Sequence, residues 1–209
     1  MNLKKIAAAG LSVVVLAGLA GCGGQDKAAD KKAGSDLSGK VTASGSSALL
    51  PLAKDASAKF KAENPNVSMT LNAGGSGTGL KQVSEGSVDI GMSDVFAEEK
   101  LPAEKAKELV DHKVCVITMA PIVNKDVGAT VKNLTKAQIQ DIFTAKITNW
   151  KDVGGPDEPI VLVTRPSTSG TRALFTKYAM DGKEEASNKS LETDDSGTLI
   201  QSISQTKGA

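Results

Sequence analysis

The 209-residue chain is poor in aromatic residues, histidine, cysteine and arginine, and it has almost no net charge. Aromatic residues make up 3% of the chain and the formal charge is +1. Both values argue against a general nucleic-acid binder, which normally carries a basic surface and aromatic side chains that stack on bases. One histidine and two distant cysteines leave too few ligands for a His/Cys zinc site. The composition does not exclude a calcium or magnesium site made of carboxylates, but no D-x-[DN]-x-[DN]-G loop is present. We therefore expect neither a metal nor a cofactor.

The start of the chain is predicted to be a targeting signal. Two lysines precede an apolar run over residues 6–19, which is shorter than the roughly 20 residues that span a membrane. The run ends in Leu19-Ala20-Gly21-Cys22, which resembles the lipobox of bacterial lipoproteins, where the cysteine is acylated after cleavage. We therefore expect residues 1–21 to be a lipoprotein signal peptide, Cys22 to carry the lipid, and residues 22–39 to be a flexible tether. Ordinary secretion is the alternative.

From residue 40 onward the sequence alternates between strand and helix patterns. The alternation predicts parallel sheets with crossover helices. The segment Val114–Val123 is almost entirely apolar, which predicts a strand buried on both faces. Cys115 lies in this segment and has no intrachain partner once Cys22 is acylated, so we expect a buried thiol. Thr135 and Gln138 have the spacing of a capping box at a helix start.

Three predicted strand-to-helix junctions are rich in glycine and small hydroxyl residues: 44–47, 74–79 and 167–171. Ligands of open α/β sheets bind outside the carboxyl ends of the strands, where helix starts offer unpaired N–H groups and a partial positive charge. Arg165 ends a predicted strand and would add a guanidinium fork that suits an oxyanion. Serine and threonine at a helix start are also ordinary caps. Three such junctions, one of them flanked by both arginines of the chain, favour an anion site.

Enzymatic motifs are missing from these junctions. The stretch Gly74–Lys81 reads G-G-S-G-T-G-L-K and departs from the P-loop at its last positions. No G-x-S-x-G nucleophile elbow occurs. A Ser-His-Asp triad would need His112, which follows a charged segment and is expected at the surface. We therefore expect no catalytic residues and no enzymatic activity.

Five segments point to one family when they are taken together. In order they are Ser44–Ser47, Gly74–Gln82, Val88–Asp94, Ile142–Trp150 and Arg165–Thr171. This combination closely resembles the phosphate-binding lipoproteins of bacterial high-affinity phosphate ABC transporters. The resemblance implies an α/β, two-domain periplasmic-binding-protein-like fold of type II, with parallel or mixed sheets flanked by helices.

The same resemblance implies a domain organisation. Residues 40–120 would form a first α/β domain and residues 121–209 a second, incomplete one. In members of this family the chain returns from the second domain to complete the first. The sequence up to its last residue, Ala209, contains no segment that could do so. We therefore expect a C-terminally truncated sequence.

The resemblance also assigns a phosphate site, residue by residue. Its members would be the following: Ser47, the backbone N–H of Ala48, Ser76, Asp94, Arg165, Ser169, Gly170 and Thr171. Asp94 would face the ligand, because a carboxylate accepts the proton of hydrogen phosphate and repels sulfate, which has no proton to give. The other interpretations of Asp94 are a helix N-cap or a partner for Arg165.

The expected function is extracytoplasmic capture of inorganic phosphate and its delivery to the membrane permease subunits of an ABC transporter. The chain would be attached to the cell membrane through the lipid on Cys22. Alternatives are a binder of another oxyanion such as sulfate, molybdate or a phosphonate, a secreted phosphatase or hydrolase, and an adhesion or signalling lipoprotein on the same fold.

Overall fold

The computed structural model of the chain describes residues 37–193 and 195–209. The described residues belong to one compact unit. The predicted signal peptide, Cys22 and most of the predicted tether lie outside the described residues. Within the described part of the chain, no helix is both long and apolar enough to cross a membrane.

The first sheet has three parallel strands: β1 (Gly39–Gly45), β2 (Val67–Ala73) and β3 (Ile90–Met92). β1 lies in the centre, and the sheet order is β2-β1-β3. Two helices follow the first two strands: α1 (Leu50–Glu63) and α2 (Ser76–Ser84). Gly45 pairs with Ala73 on one side and Met92 on the other, so the three strands end together at one edge of the sheet.

The second part of the described chain begins with short helices and then forms a smaller sheet. The helices are α3 (Ala103–Ala106), α4 (Lys125–Thr130) and α5 (Lys136–Phe143). They are followed by β4 (Leu162–Thr164), α6 (Gly170–Tyr178), β5 (Ser190–Glu192) and α7 (Ser196–Gln205). β4 and β5 pair in parallel, so the predicted parallel sheets are confirmed. The predicted capping box at Thr135 and Gln138 is confirmed at the start of α5.

Two small apolar clusters hold the second sheet against its helices. In the first, Trp150 packs with Val127, Ile142 and Leu162, and its indole N–H donates to the carbonyl of Gly208 at 2.8 Å. In the second, Val163 of β4 packs with Ile203 of α7 and Ala209. Full burial of each such aliphatic side chain stabilises the fold by about 1.5–3 kcal/mol. These contacts fix the end of β4, where Arg165 follows.

The prediction of a buried strand over Val114–Val123 is wrong for this structure. Residues 110–124 are neither helix nor strand, and Val114 and Val116 are 65% and 95% exposed. Cys115 is exposed as well, which contradicts the expected buried thiol. A strand is stable only when its backbone N–H and C=O groups find partners, and neither sheet of the described chain contains a strand that pairs with this segment. The predicted domain division at residue 120 falls in this segment and stays a prediction.

Candidate anion-binding site

The three junctions that the sequence singled out follow β1, β2 and β4, and they meet beyond the carboxyl ends of these strands with the segment that follows β3. The backbone N–H of Gly77, in α2, donates to the carbonyl of Thr168 at 2.9 Å. The N–H of Asp94, two residues after β3, donates to the Ser76 hydroxyl at 3.0 Å. Ser46, from the loop after β1, donates its hydroxyl to the Asp94 carboxylate. Segments that follow strands of both sheets therefore share one site.

The Asp94 carboxylate lies at the centre of one group of contacts. One of its oxygens accepts the Ser46 hydroxyl, and the other accepts the Thr171 hydroxyl at 3.3 Å. The following 3₁₀ turn has Phe96 as its N-cap, so the N-cap interpretation of Asp94 is wrong. Ser46 is 1% exposed and also accepts the N–H of Leu49 at 3.1 Å, which fixes its hydroxyl toward Asp94.

The Arg165 guanidinium lies at the centre of a second group. Arg165 follows β4, is 5% exposed, and its Nε donates to the carbonyl of Thr193 at 2.9 Å. Nη1 donates to the Ser196 hydroxyl at 3.2 Å, and Nη2 donates to the Ser47 hydroxyl at 3.1 Å. These contacts place a delocalised positive charge between the loop after β1 and the start of α7.

The start of α6 packs directly against Ser76 and Asp94. Gly170 is the first residue of α6, and a methyl group there would overlap the Ser76 hydroxyl and lie 3.0 Å from Cβ of Asp94. Glycine is therefore required for this approach. Ser169 is the N-cap and accepts the N–H of Arg172 at 3.2 Å. A hydroxyl that accepts in this way keeps its own proton for a ligand, and the same holds for Ser76.

The eight predicted site residues lie at the strand ends and helix starts described above, and contacts join six of them into the two groups. Ser47 and Arg165 belong to one group of contacts, and Ser76, Asp94, Gly170 and Thr171 belong to the other. In the sequence, Ser169 lies between Arg165 of the first group and Gly170 of the second. Ala48 follows Ser47 in the turn that leads to α1, whose N-cap is Leu49.

Three residues of the site were missed by the sequence analysis: Ser46, Thr193 and Ser196. The signal for Ser196 is a repeated tripeptide, since Ser-Gly-Thr occurs at 76–78, 169–171 and 196–198 and stands at the starts of α2, α6 and α7. Asp195 caps α7 by accepting the Thr198 hydroxyl at 2.6 Å and the Thr198 N–H at 2.9 Å. These two hydrogen bonds, more than the nearby charge of Arg165, lower the pKa of Asp195.

Arg172 supports the site through its contacts with the backbone at Arg165 and with Glu185. Its Nη1 donates to the backbone carbonyl of Arg165 at 2.8 Å, and its Nε lies 3.3 Å from the buried Glu185 carboxylate. Burial raises the pKa of Glu185, and the Arg172 charge opposes this rise. The Glu185 oxygen that faces Nε has no hydrogen-bond partner, so the pair is electrostatic. Arg172 therefore holds the chain at Arg165 in place.

The site combines helix starts, small hydroxyls, one guanidinium and one carboxylate. Donors of this kind suit an oxyanion, and the carboxylate suits an oxyanion that carries a proton. Among the described residues, no group of three or more His, Cys, Asp or Glu side chains could hold a metal ion. His112 is exposed, as predicted.

Comparison with known proteins agrees with this chemistry. A PBP superfamily domain matches residues 30–209. The chain is 48% identical over 207 residues to the phosphate-binding protein PstS of Bacillus subtilis, covering 99% of this chain and 67% of that protein. It is 29% identical over 211 residues to the phosphate-binding protein PstS of Staphylococcus epidermidis, covering 98% of this chain and 63% of that protein. The chain therefore spans about two thirds of the length of these relatives, which are named as binding proteins and not as enzymes.

Two solved structures show the same fold. One is a phosphate ABC transporter substrate-binding protein from Clostridium perfringens with bound phosphate, with 36% identity, a TM-score of 0.70, and coverage of 81% of this chain and 68% of that one. The other is an ABC-type phosphate transport receptor from Vibrio cholerae, with 27% identity, a TM-score of 0.51, and coverage of 80% of this chain and 68% of that one. The expected type II periplasmic-binding α/β fold is confirmed. The chain belongs to the PBP superfamily and, within it, to the PstS family of phosphate-binding proteins.

Proposed function

We propose that this chain binds inorganic phosphate outside the cytoplasm and delivers it to the permease subunits of an ABC transporter. One observation carries the proposal: a carboxylate, Asp94, lies among hydroxyls and helix starts that otherwise only donate to an anion. An anion without a proton would be repelled by this carboxylate. Hydrogen phosphate carries a proton and satisfies it.

The donors in the site are sufficient for tight binding without a net positive charge. Sub-micromolar affinity needs more than about 8 kcal/mol. Six charge-assisted hydrogen bonds at about 1.5–3 kcal/mol each would supply roughly 9–18 kcal/mol before the losses of association. Such a set is formed by the hydroxyls of Ser76 and Ser169, the N–H groups of Ala48 and Gly170, and the two Nη groups of Arg165.

The proposed location of the protein rests on the apolar run and the lipobox-like cysteine at the start of the sequence. We propose that Cys22 is acylated after removal of residues 1–21 and that residues 22–38 tether the binding unit to the outer face of the cell membrane. The predicted tether is one residue too long, because Gly39 is the first residue of β1 and pairs with Val67. Such a tether would keep captured phosphate near the permease. Mass spectrometry of the protein purified from membranes would detect the acyl groups on Cys22, and a free N-terminal cysteine would contradict the anchor.

Titration calorimetry with phosphate and sulfate tests the phosphate site. We expect phosphate to bind at least a hundredfold more tightly than sulfate, because the Asp94 carboxylate meets an unprotonated sulfate oxygen. In Asp94→Asn the carboxylate is replaced by an amide that donates as well as accepts. The phosphate-to-sulfate affinity ratio should then fall by about tenfold or more.

The matched control for this substitution is Asp152→Asn, which changes an exposed aspartate in another turn and should leave the ratio unchanged. Equal affinity of the unsubstituted protein for the two anions, or no binding of phosphate, would contradict the proposal. Tighter binding of molybdate or a phosphonate than of phosphate would favour the other oxyanion binders.

A further inference from the structure

The hydroxyl of Ser196 contacts both Arg165 and Ser47, which belong to the group of contacts around the Arg165 guanidinium. It accepts from Nη1 of Arg165 at 3.2 Å and lies 3.2 Å from the Ser47 hydroxyl. The backbone N–H of Ser196 also donates to the Ser47 hydroxyl at 3.1 Å. Ser196 is thus bonded both to the charge of the site and to one of its hydroxyls.

The direction of these hydrogen bonds follows from the lone pairs available. The Ser47 oxygen already accepts from Nη2 of Arg165 and from the Ser196 N–H, which uses both of its lone pairs. In the contact between the two hydroxyls, Ser47 therefore donates and Ser196 accepts. The Ser196 oxygen is the acceptor for two donors at once, Nη1 of Arg165 and the Ser47 hydroxyl.

The start of α7 holds Ser196 in this position. Ser196 is the first residue of this helix, and Asp195 caps it through both the N–H and the hydroxyl of Thr198. Ser76 occupies the same first position in α2, where its hydroxyl accepts the N–H of Asp94. In both helices, the first-turn serine orients another residue of the site.

We propose that Ser196 is a positioning residue of the anion site, which sets the plane of the Arg165 guanidinium and the orientation of the Ser47 hydroxyl. The inference rests on the proposed phosphate binding. Arginine donates through a rigid planar fork. Loss of the acceptor at Nη1 would remove one of the three acceptors that hold the fork in its plane and would leave the Ser47 hydroxyl without its acceptor.

Phosphate titrations of Ser196→Ala, Ser196→Thr and the unsubstituted protein test this role. We expect Ser196→Ala to weaken phosphate binding by about tenfold, which is the lower end of the range for loss of one hydrogen bond to a charged group. Ser196→Thr keeps the hydroxyl and should stay within about threefold of the unsubstituted protein. Ser204→Ala changes an exposed serine of the same helix and should have no effect.

A double-mutant cycle separates positioning from a general structural effect. Lysine keeps the charge of Arg165 but has no fork to orient, so Ser196→Ala should cost less than about twofold in an Arg165→Lys background. If that background binds too weakly to measure, Ser47→Ala replaces it, and Ser196→Ala should then cost less than in the unsubstituted protein, because only the contact of Ser196 with Arg165 remains to be lost. A full, additive loss in both backgrounds would overturn the positioning role.

The outcomes distinguish this inference from the function on which it rests. Unchanged affinity of Ser196→Ala, while the unsubstituted protein binds phosphate, would overturn the positioning role and leave the proposed function intact. No phosphate binding by the unsubstituted protein would overturn the function and the inference with it. Melting curves without phosphate verify that each variant is folded at the temperature of the titration.

Discussion

In the proposed site, individual side chains would have opposite roles that depend on their hydrogen-bonding capacity. The Arg165 guanidinium can only donate, so it would attract any oxyanion. The Asp94 carboxylate can only accept when ionised, so it would select an oxyanion that carries a proton. The hydroxyls of Ser46 and Thr171 hold this carboxylate in the site. Under this proposal, attraction and selection would be performed by different residues.

Gly170 is required at the residue scale because the start of α6 approaches Ser76 and Asp94 too closely for any side chain. We expect Gly170→Ala to lower the free energy of unfolding by about 1–3 kcal/mol, as overpacking does, and to weaken phosphate binding. Urea unfolding and titration measure the two effects. Gly128→Ala is the matched control, since Gly128 is also helical and a methyl group there meets only Cγ2 of Val123 at 3.5 Å. A Gly170→Ala variant as stable as this control would contradict the prediction.

At the scale of elements, each half of the site is carried by the ends of strands and the starts of helices. β1 and β3 end at the loops of Ser46 and Asp94, and β4 ends at Arg165. The starts of α2, α6 and α7 bring the three Ser-Gly-Thr tripeptides to the same place. Backbone N–H groups at these starts have no partner within their own helix, and the helix dipole favours an anion there.

The cap of α7 gives a prediction with a defined pH dependence. The hydrogen bonds from Thr198 lower the pKa of Asp195, so the unfolded chain takes up a proton at higher pH than the folded chain. The stabilisation is therefore present above the ordinary pKa of 3.8 and is lost as pH falls through the lowered value. We expect Asp195→Ala to cost about 1 kcal/mol at pH 7 and less below pH 3.8. Urea unfolding at several pH values measures this, and a cost that does not change with pH would contradict it.

At the scale of the whole molecule, the site joins the first sheet to the second. Ser47, Ser76 and Asp94 come from the part of the chain that forms the first sheet, and Arg165 and Thr171 come from the part that forms the second. A ligand held by both parts stabilises the folded chain by mass action, by about 2.7 kcal/mol at a concentration 100 times its Kd.

This stabilisation predicts a ligand-specific rise in melting temperature. At 100 times its Kd, phosphate should raise the Tm by about 5–10 °C for a chain of this size. Sulfate at the same ionic strength should raise it far less, and Arg165→Gln should abolish the difference between the two anions. Differential scanning calorimetry measures the shift. An equal rise with both anions would show a general salt effect and would contradict specific binding.

Much of the local structure could be predicted from short stretches of sequence. The capping box at Thr135 and Gln138 and the hydroxyl-rich helix starts depend on neighbouring residues, so pattern alone predicts them. The parallel pairing joins distant residues, but the alternation of strand and helix patterns indicates it. The site at Ser196 was missed although the third Ser-Gly-Thr was visible, because nothing in its immediate neighbourhood indicates which strand end it faces.

The sequence by itself determined the family, the α/β class and the loops that carry the site, because helix starts, strand patterns and small-residue junctions are local features. Only the tertiary structure decided which acceptors orient Arg165, since Thr193, Ser196 and Ser47 come from distant parts of the chain. It also decided that Val114–Val123 is not a strand. Apolar side chains make a strand possible, but the backbone pairs only where another strand is present to receive its hydrogen bonds.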